Sequence, residues 1–104
     1  VGVPRETEAG FTRAVVELAR ALGWRCWHQR PARTARGWRS AGTGDAGCPD
    51  LILARGGRVL LVELKAEGGR LGPGQAEWRD AAGGGYRLWR PADWPAVESE
   101  LRHG

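Results

Sequence analysis

The stretch Gly47-Cys48-Pro49-Asp50-Leu51-Ile52-Leu53-Ala54-Arg55-Gly56-Gly57-Arg58-Val59-Leu60-Leu61-Val62-Glu63-Leu64-Lys65 decides the fold of this chain. Two apolar runs flank Gly56-Gly57, a pair that suits a tight hairpin turn. The first run predicts a strand over 50–54, entered through Pro49, and the second predicts its return over 58–65. A turn at Gly56-Gly57 sets Asp50 opposite Glu63 or Leu64. Side chains alternate along a strand, so Val59, Leu61, Glu63 and Lys65 share one face and Leu60, Val62 and Leu64 the other. Two carboxylates and an ammonium are therefore expected together at one end of an apolar hairpin.

The ammonium is singular. The chain holds 16 Lys+Arg, and every one except Lys65 is Arg. An ammonium is a compact point charge and a guanidinium a rigid fork, so the two are not interchangeable. Adjacent carboxylates repel and lose hydration, and they persist where a hard cation neutralises them. Oxygen ligands favour Mg²⁺ or Mn²⁺ over zinc. Lys65 beside such a cation could orient or deprotonate an attacking water, or stabilise charge on a phosphate. That combination describes a phosphodiester hydrolase. The plainer alternative is a surface ion pair of Glu63 with Lys65 on an edge strand, with Asp50 capping a turn. Exposed pairs of that kind stabilise weakly and do not explain why both acids and the sole lysine end the hairpin.

Outward from the hairpin, residues 8–22 predict an amphipathic helix, with Phe11, Val15, Leu18, Ala19 and Leu22 on one stripe and Gly23 ending it. Residues 25–28 predict a short strand. Residues 31–47 show no hydrophobic periodicity and predict a long loop. After the hairpin come a glycine-rich loop over 68–74, a helix over 75–82 with Trp78 on its buried side, a strand over 86–90, and a terminal helix over 93–101 with Asp93 as its N-cap. Trp24, Trp27, Trp78 and Trp89 all fall on elements and are expected in the core. The order predicts a single α/β domain with a mixed sheet.

Composition narrows the classes. At 104 residues there is one domain with a modest core. No apolar run approaches the ~18–20 residues of a membrane span. Val1-Gly2-Val3-Pro4 lacks the pattern of a secretory signal, and a cytoplasmic protein, bacterial or in a phage-infected host, is the expectation. Cys26 and Cys48 form no CxxC pair, and with His28 and His103 they do not reach a zinc-site spacing, so two reduced thiols are expected. The net charge is +4, and no acid occurs between Glu17 and Asp45. Arg20, Arg25, Arg30, Arg33, Arg36 and Arg39 stand unopposed there, as suits a phosphate backbone. A solvated arginine-rich loop would read the same way. Trp38 lies among these arginines and could stack on a base.

Pro49-Asp50 followed by Glu63-Leu64-Lys65 resembles the PD-(D/E)xK nuclease signature, which is weak by itself. The ordered set is more specific: Glu8-Ala9-Gly10-Phe11, Gly23-Trp24, Gly47-Cys48-Pro49-Asp50-Leu51, Glu63-Leu64-Lys65-Ala66-Glu67, Gly69-Arg70-Leu71, Gln75, Trp78 and Trp89-Arg90-Pro91. It resembles the VRR-NUC family of small nucleases over nearly the whole chain. The resemblance implies a restriction-endonuclease-like αβββαβ core and a Mg²⁺- or Mn²⁺-dependent DNA endonuclease of phage or bacterial type. It implies Asp50 and Glu63 as metal ligands, with the Leu64 carbonyl completing the protein share and Glu8 supporting the site directly or through water. Lys65 would be the catalytic lysine, and Gln75 would position the metal water or the lysine. His28 stands where the family often has a histidine, with substrate contact and packing as the two alternatives for its role. Cys48 replaces a bulkier apolar residue. Structured DNA, such as four-way junctions or flaps, is the implied substrate, and a homodimer is expected for paired cuts. Two rivals stay open: a nonspecific or restriction-type nuclease of the same fold, and a non-catalytic nucleic-acid-binding module.

Overall fold

The computed structural model describes residues 7–29, 31–34, 37–40 and 43–104, with the backbone alone described in 31–34 and 37–40. Helix α1 (Glu8–Ala21) opens at Thr7, whose Oγ1 accepts the Gly10 amide at 3.0 Å. It is the capping that a threonine in this position provides. The helix stops at Leu22, after which Gly23 takes φ +89°, a left-handed value that glycine adopts without steric cost. Phe11, Val15 and Ala19 are wholly buried, and Leu18 and Leu22 pack at the margin of the same stripe.

The main sheet has four strands in the order β1-β4-β5-β6: β1 (Arg25–His28), β4 (Leu51–Arg55), β5 (Arg58–Leu64) and β6 (Tyr86–Trp89). The first three are antiparallel to their neighbours, and β6 runs parallel to β5. Leu51 pairs with Val62, the register expected from a turn at Gly56-Gly57. One face carries Leu51, Leu53, Leu60, Val62, Leu64 and Trp89. It packs with α1 and with α3 (Trp94–His103), whose Val97 and Leu101 are wholly buried. Burying each large apolar side chain stabilises the domain by about 1.5–3 kcal/mol. The other face bears Glu63 beneath helix α2 (Pro73–Ala82). This arrangement is the α/β architecture with a mixed sheet flanked by helices.

Arg55 ties the two helix ends to the sheet. Its guanidinium donates to the carbonyls of Leu22 (2.9 Å) and Gly104 (3.1 Å) and lies 4.7 Å from the Trp24 ring centre. Both carbonyls lie at helix C-termini, where the dipole favours a cation.

The structure differs from the sequence expectation in several places. The segment expected as a loop over 31–47 contains a hairpin, β2 (Pro31–Thr34) paired with β3 (Gly37–Ser40). Pro-Ala-Arg-Thr and Gly-Trp-Arg-Ser have no apolar alternation, so the pairing rests on backbone hydrogen bonds that leave no hydrophobic period to detect. Helix α2 begins at Pro73 rather than Gln75, because proline fits the first helical turn. Trp78 is only half-buried, and no residue of α2 is fully buried. Trp24 and Trp89 are core residues, whereas Trp27 is 64% exposed. Asp93 precedes α3 as expected, but its carboxylate accepts the Arg90 amide at 2.9 Å instead of capping that helix.

Candidate active site

The hairpin register brings the end of β5 beside the start of β4. Asp50 stands just before β4, and its Oδ2 accepts the Leu64 amide at 2.8 Å. Its own carbonyl accepts the Gln29 amide at 2.7 Å, which ties the acid to the end of β1. The preceding segment is pressed against helix α2. Gly47 has φ +89°, and a Cβ on Gly74 would lie 2.7 Å from the Ala46 carbonyl oxygen. Backbone meets backbone here, so neither glycine can gain a side chain without displacing the other segment. The contact fixes Asp50 and Gln75 relative to one another from opposite sides of the site.

Glu63 is the centre of the arrangement. It lies in β5 and is 3% exposed, the one buried charged residue among those described. Gln75 Nε2 donates to Glu63 Oε2 at 2.9 Å, while Gln75 Oε1 accepts the Gly72 amide at 2.8 Å. Lys65 Nζ lies 3.7 Å from the same Glu63 oxygen. Glu63 Oε1 is buried, and among the described residues no donor reaches it. Burial, and then the negative charge of Asp50, push the Glu63 carboxyl up to about 8. The Lys65 ammonium opposes this, and the two carboxyl groups lie close enough to share a proton. Glu8, in the first turn of α1, adds the weakest of these influences from an exposed position.

Among the described residues, no three His, Cys, Asp or Glu side chains converge as a ligand set. Two carboxylates do converge, and that fits a specific class of ion. Mg²⁺ keeps several waters and is held by one or two carboxylates together with substrate phosphates. The donors are all oxygen, and the buried Glu63 Oε1 is an acceptor that a cation would satisfy. Leu64 ends β5 and the next amide, that of Lys65, donates to the Trp89 carbonyl at 3.1 Å.

His28 ends β1 opposite Leu51, at the same sheet end as Asp50. Arg33 pairs across the β2–β3 hairpin with Trp38, and Arg39 with Ala32. Arg30 and Arg36 lie outside the described residues. Glu67 has a structural partner, since its Oε2 accepts the Ala92 amide at 2.6 Å. The sequence carries no signal for the Gly47–Gly74 contact, which joins distant segments. Nor did it single out Tyr86, whose hydroxyl is buried without a partner among the described residues.

The family model described as the VRR-NUC domain matches residues 5–83, more than half of the chain. No curated protein and no solved structure matches it.

Proposed function

This chain belongs to the VRR-NUC family, within the restriction-endonuclease-like nucleases, and from that premise we propose that it is a divalent-metal-dependent DNA endonuclease. The observation that carries the reading is Glu63: a buried carboxyl beside Asp50, bonded by Gln75 and approached by the sole lysine, with one oxygen left over. A carboxyl in that setting destabilises the metal-free protein and is retained where a cation offsets the repulsion.

Asp50 and Glu63 would hold Mg²⁺ or Mn²⁺, with the Leu64 carbonyl and, through water, Glu8 completing the shell. The ion supplies Lewis-acid polarisation of the phosphate and a more acidic water. Lys65 orients that water and stabilises the charge that develops on the phosphate. Gln75 holds Glu63 in place by a neutral donor, which fixes its orientation without cancelling its charge. The products are 5′-phosphate ends. His28 and the arginines of the β2–β3 region, Arg30, Arg33, Arg36 and Arg39, with Trp38, engage the DNA backbone and an unpaired base. No base-reading motif is visible, so selection rests on DNA shape, and branched or four-way-junction DNA is the proposed substrate. Paired cuts on a symmetric junction require two sites, hence a homodimer.

A cleavage panel tests the reading. Linear duplex, flap and four-way-junction DNA are incubated with Mg²⁺, Mn²⁺, Ca²⁺ or EDTA. Cleavage with Mg²⁺ and Mn²⁺, none in EDTA and a preference for branched DNA are expected. Activity that survives EDTA overturns the metal assignment, and equal rates on all three substrates overturn the structural selectivity. Lys65→Ala should bind DNA as the wild type does and cut none of it.

A further inference from the structure

Tyr86 is the only tyrosine in the chain and opens β6. It pairs with Leu61 of β5, as Leu88 pairs with Glu63. Tyr86 therefore stands on the face of the sheet that carries Glu63, one step back along it. With parallel strands about 4.8 Å apart and two residues rising about 6.6 Å, the two backbone positions lie about 8 Å apart, a gap that an aromatic side chain spans. Tyr86 is 8% exposed, and among the described residues its hydroxyl meets neither donor nor acceptor. Glu63 Oε1 is the other buried polar atom in that condition. Burial, and then the negative charge of Glu63, push the Tyr86 phenol up to about 12, with Asp50 acting in the same sense and Arg79 of α2 against it. The register of β5 and β6 by itself sets Tyr86 beside Glu63 on the face that α2 covers.

An unpartnered buried hydroxyl is destabilising, and a phenylalanine would fill the same volume without that cost. Two orphaned oxygens on one face of neighbouring strands share a simple resolution, and because a carboxylate oxygen carries two lone pairs, a water on Glu63 Oε1 leaves it a second acceptor position for the cation. A buried water needs two or more polar partners, and here an O–H and a carboxyl oxygen supply them. We propose that Tyr86 is a positioning residue for Glu63, its hydroxyl acting through one shared water to fix the carboxyl group in the orientation that binds the metal. The inference rests on the metal-dependent reading above and adds a residue to it.

Fluorotyrosine incorporated throughout the chain labels this position alone, and ¹⁹F resonance then reads it. In metal-free protein, Glu63→Gln should move the resonance, and Glu100→Gln on the opposite face should leave it in place. An unmoved resonance in Glu63→Gln overturns the proposal. Calorimetry with Ca²⁺, which occupies such sites without supporting the chemistry, supplies the second measurement. Tyr86→Phe should weaken Ca²⁺ binding about tenfold, as loss of a partner behind a metal ligand does. In cleavage with Mg²⁺ it should lower kcat while the KM for DNA stays unchanged. A Tyr86→Phe protein with wild-type Ca²⁺ affinity and a higher Tm overturns the proposal, because removal of an idle buried hydroxyl gives that signature. Wild-type protein that binds no Ca²⁺ defeats the metal reading itself, and this inference with it. Unchanged affinity in Tyr86→Phe defeats the inference alone.

Discussion

Glu63 and Glu100 are two acids on opposite faces of one small sheet, and they are treated in opposite ways. Glu100, on α3, accepts from Arg87 Nε and Nη2, both at 2.7 Å, and from Arg58 Nη2 at 3.0 Å. The Arg87 hydrogen bonds hold its carboxyl below the usual carboxylate range despite partial burial. Glu63 has one neutral donor at 2.9 Å, an ammonium at 3.7 Å, a second acid close by and an oxygen with no donor. The forked guanidinium satisfies an acid fully, while the ammonium leaves room for something else. Glu100 is thereby part of the scaffold, joining α3 to β5 and β6. Glu63 is held where its ionised form is disfavoured, a condition that a proton relieves below about pH 8 and a cation relieves above it.

The largest effect expected from this contrast is on catalysis. Glu63→Gln keeps the volume and the Gln75 neighbourhood but removes a charge from the proposed metal shell. Loss of kcat on the order of 10³-fold is expected, with Tm unchanged or raised, since a repelled buried carboxyl has been neutralised. A thermal melt beside a cleavage time course checks both halves. A large fall in Tm would make Glu63 a scaffold acid like its counterpart.

The mirror substitution, Glu100→Ala, should do the reverse. It strands Arg87 and Arg58, whose side chains are 26% and 39% exposed, so water partly compensates them. A loss of about 1–2 kcal/mol in urea unfolding is expected, with kcat unchanged below the melting transition. A fall in kcat comparable to that of Glu63→Gln would show that the two faces are coupled and would break the comparison.

The same contrast explains what could be read in advance. The Gly56-Gly57 turn and the alternation of β5 are local signals, so the hairpin and the meeting of Asp50 with Glu63 were legible. Lys65 stood out because every other basic side chain is Arg. Gln75 was found only through the family resemblance, as nothing in a helix start announces a bond to Glu63 twelve residues earlier. Tyr86 was missed because a tyrosine opening a strand is ordinary. Its significance lies in the partner its hydroxyl lacks, which is a property of packing. The Gly47–Gly74 contact joins segments distant in sequence, and glycines are too common here to mark it. The β2–β3 hairpin escaped because its residues carry no apolar period.

The effect that leaves the sequence of the protein untouched is a tilt of stability with pH, opposite in sense for the two acids. Glu63 titrates near 4.5 when unfolded and near 8 when folded. Its contribution is therefore fully present below about 4.5 and is lost as pH rises toward 8, because the folded chain binds the extra proton in that window. Glu100 is depressed on folding, so its contribution is present above its unfolded value and is lost as pH falls below it. Of these two acids, Glu100 keeps a constant contribution between pH 6 and 8 and Glu63 does not. Metal-free protein should lose Tm across that interval, and Glu63→Gln should flatten the slope while Glu100→Gln leaves it. Ca²⁺ binds the deprotonated site, so the rise in Tm that it produces should be larger at pH 8 than at pH 6. Melts at the two pH values, with Ca²⁺ and with EDTA, decide it: a Ca²⁺ effect independent of pH would mean that the ion is held without displacing a proton from Glu63.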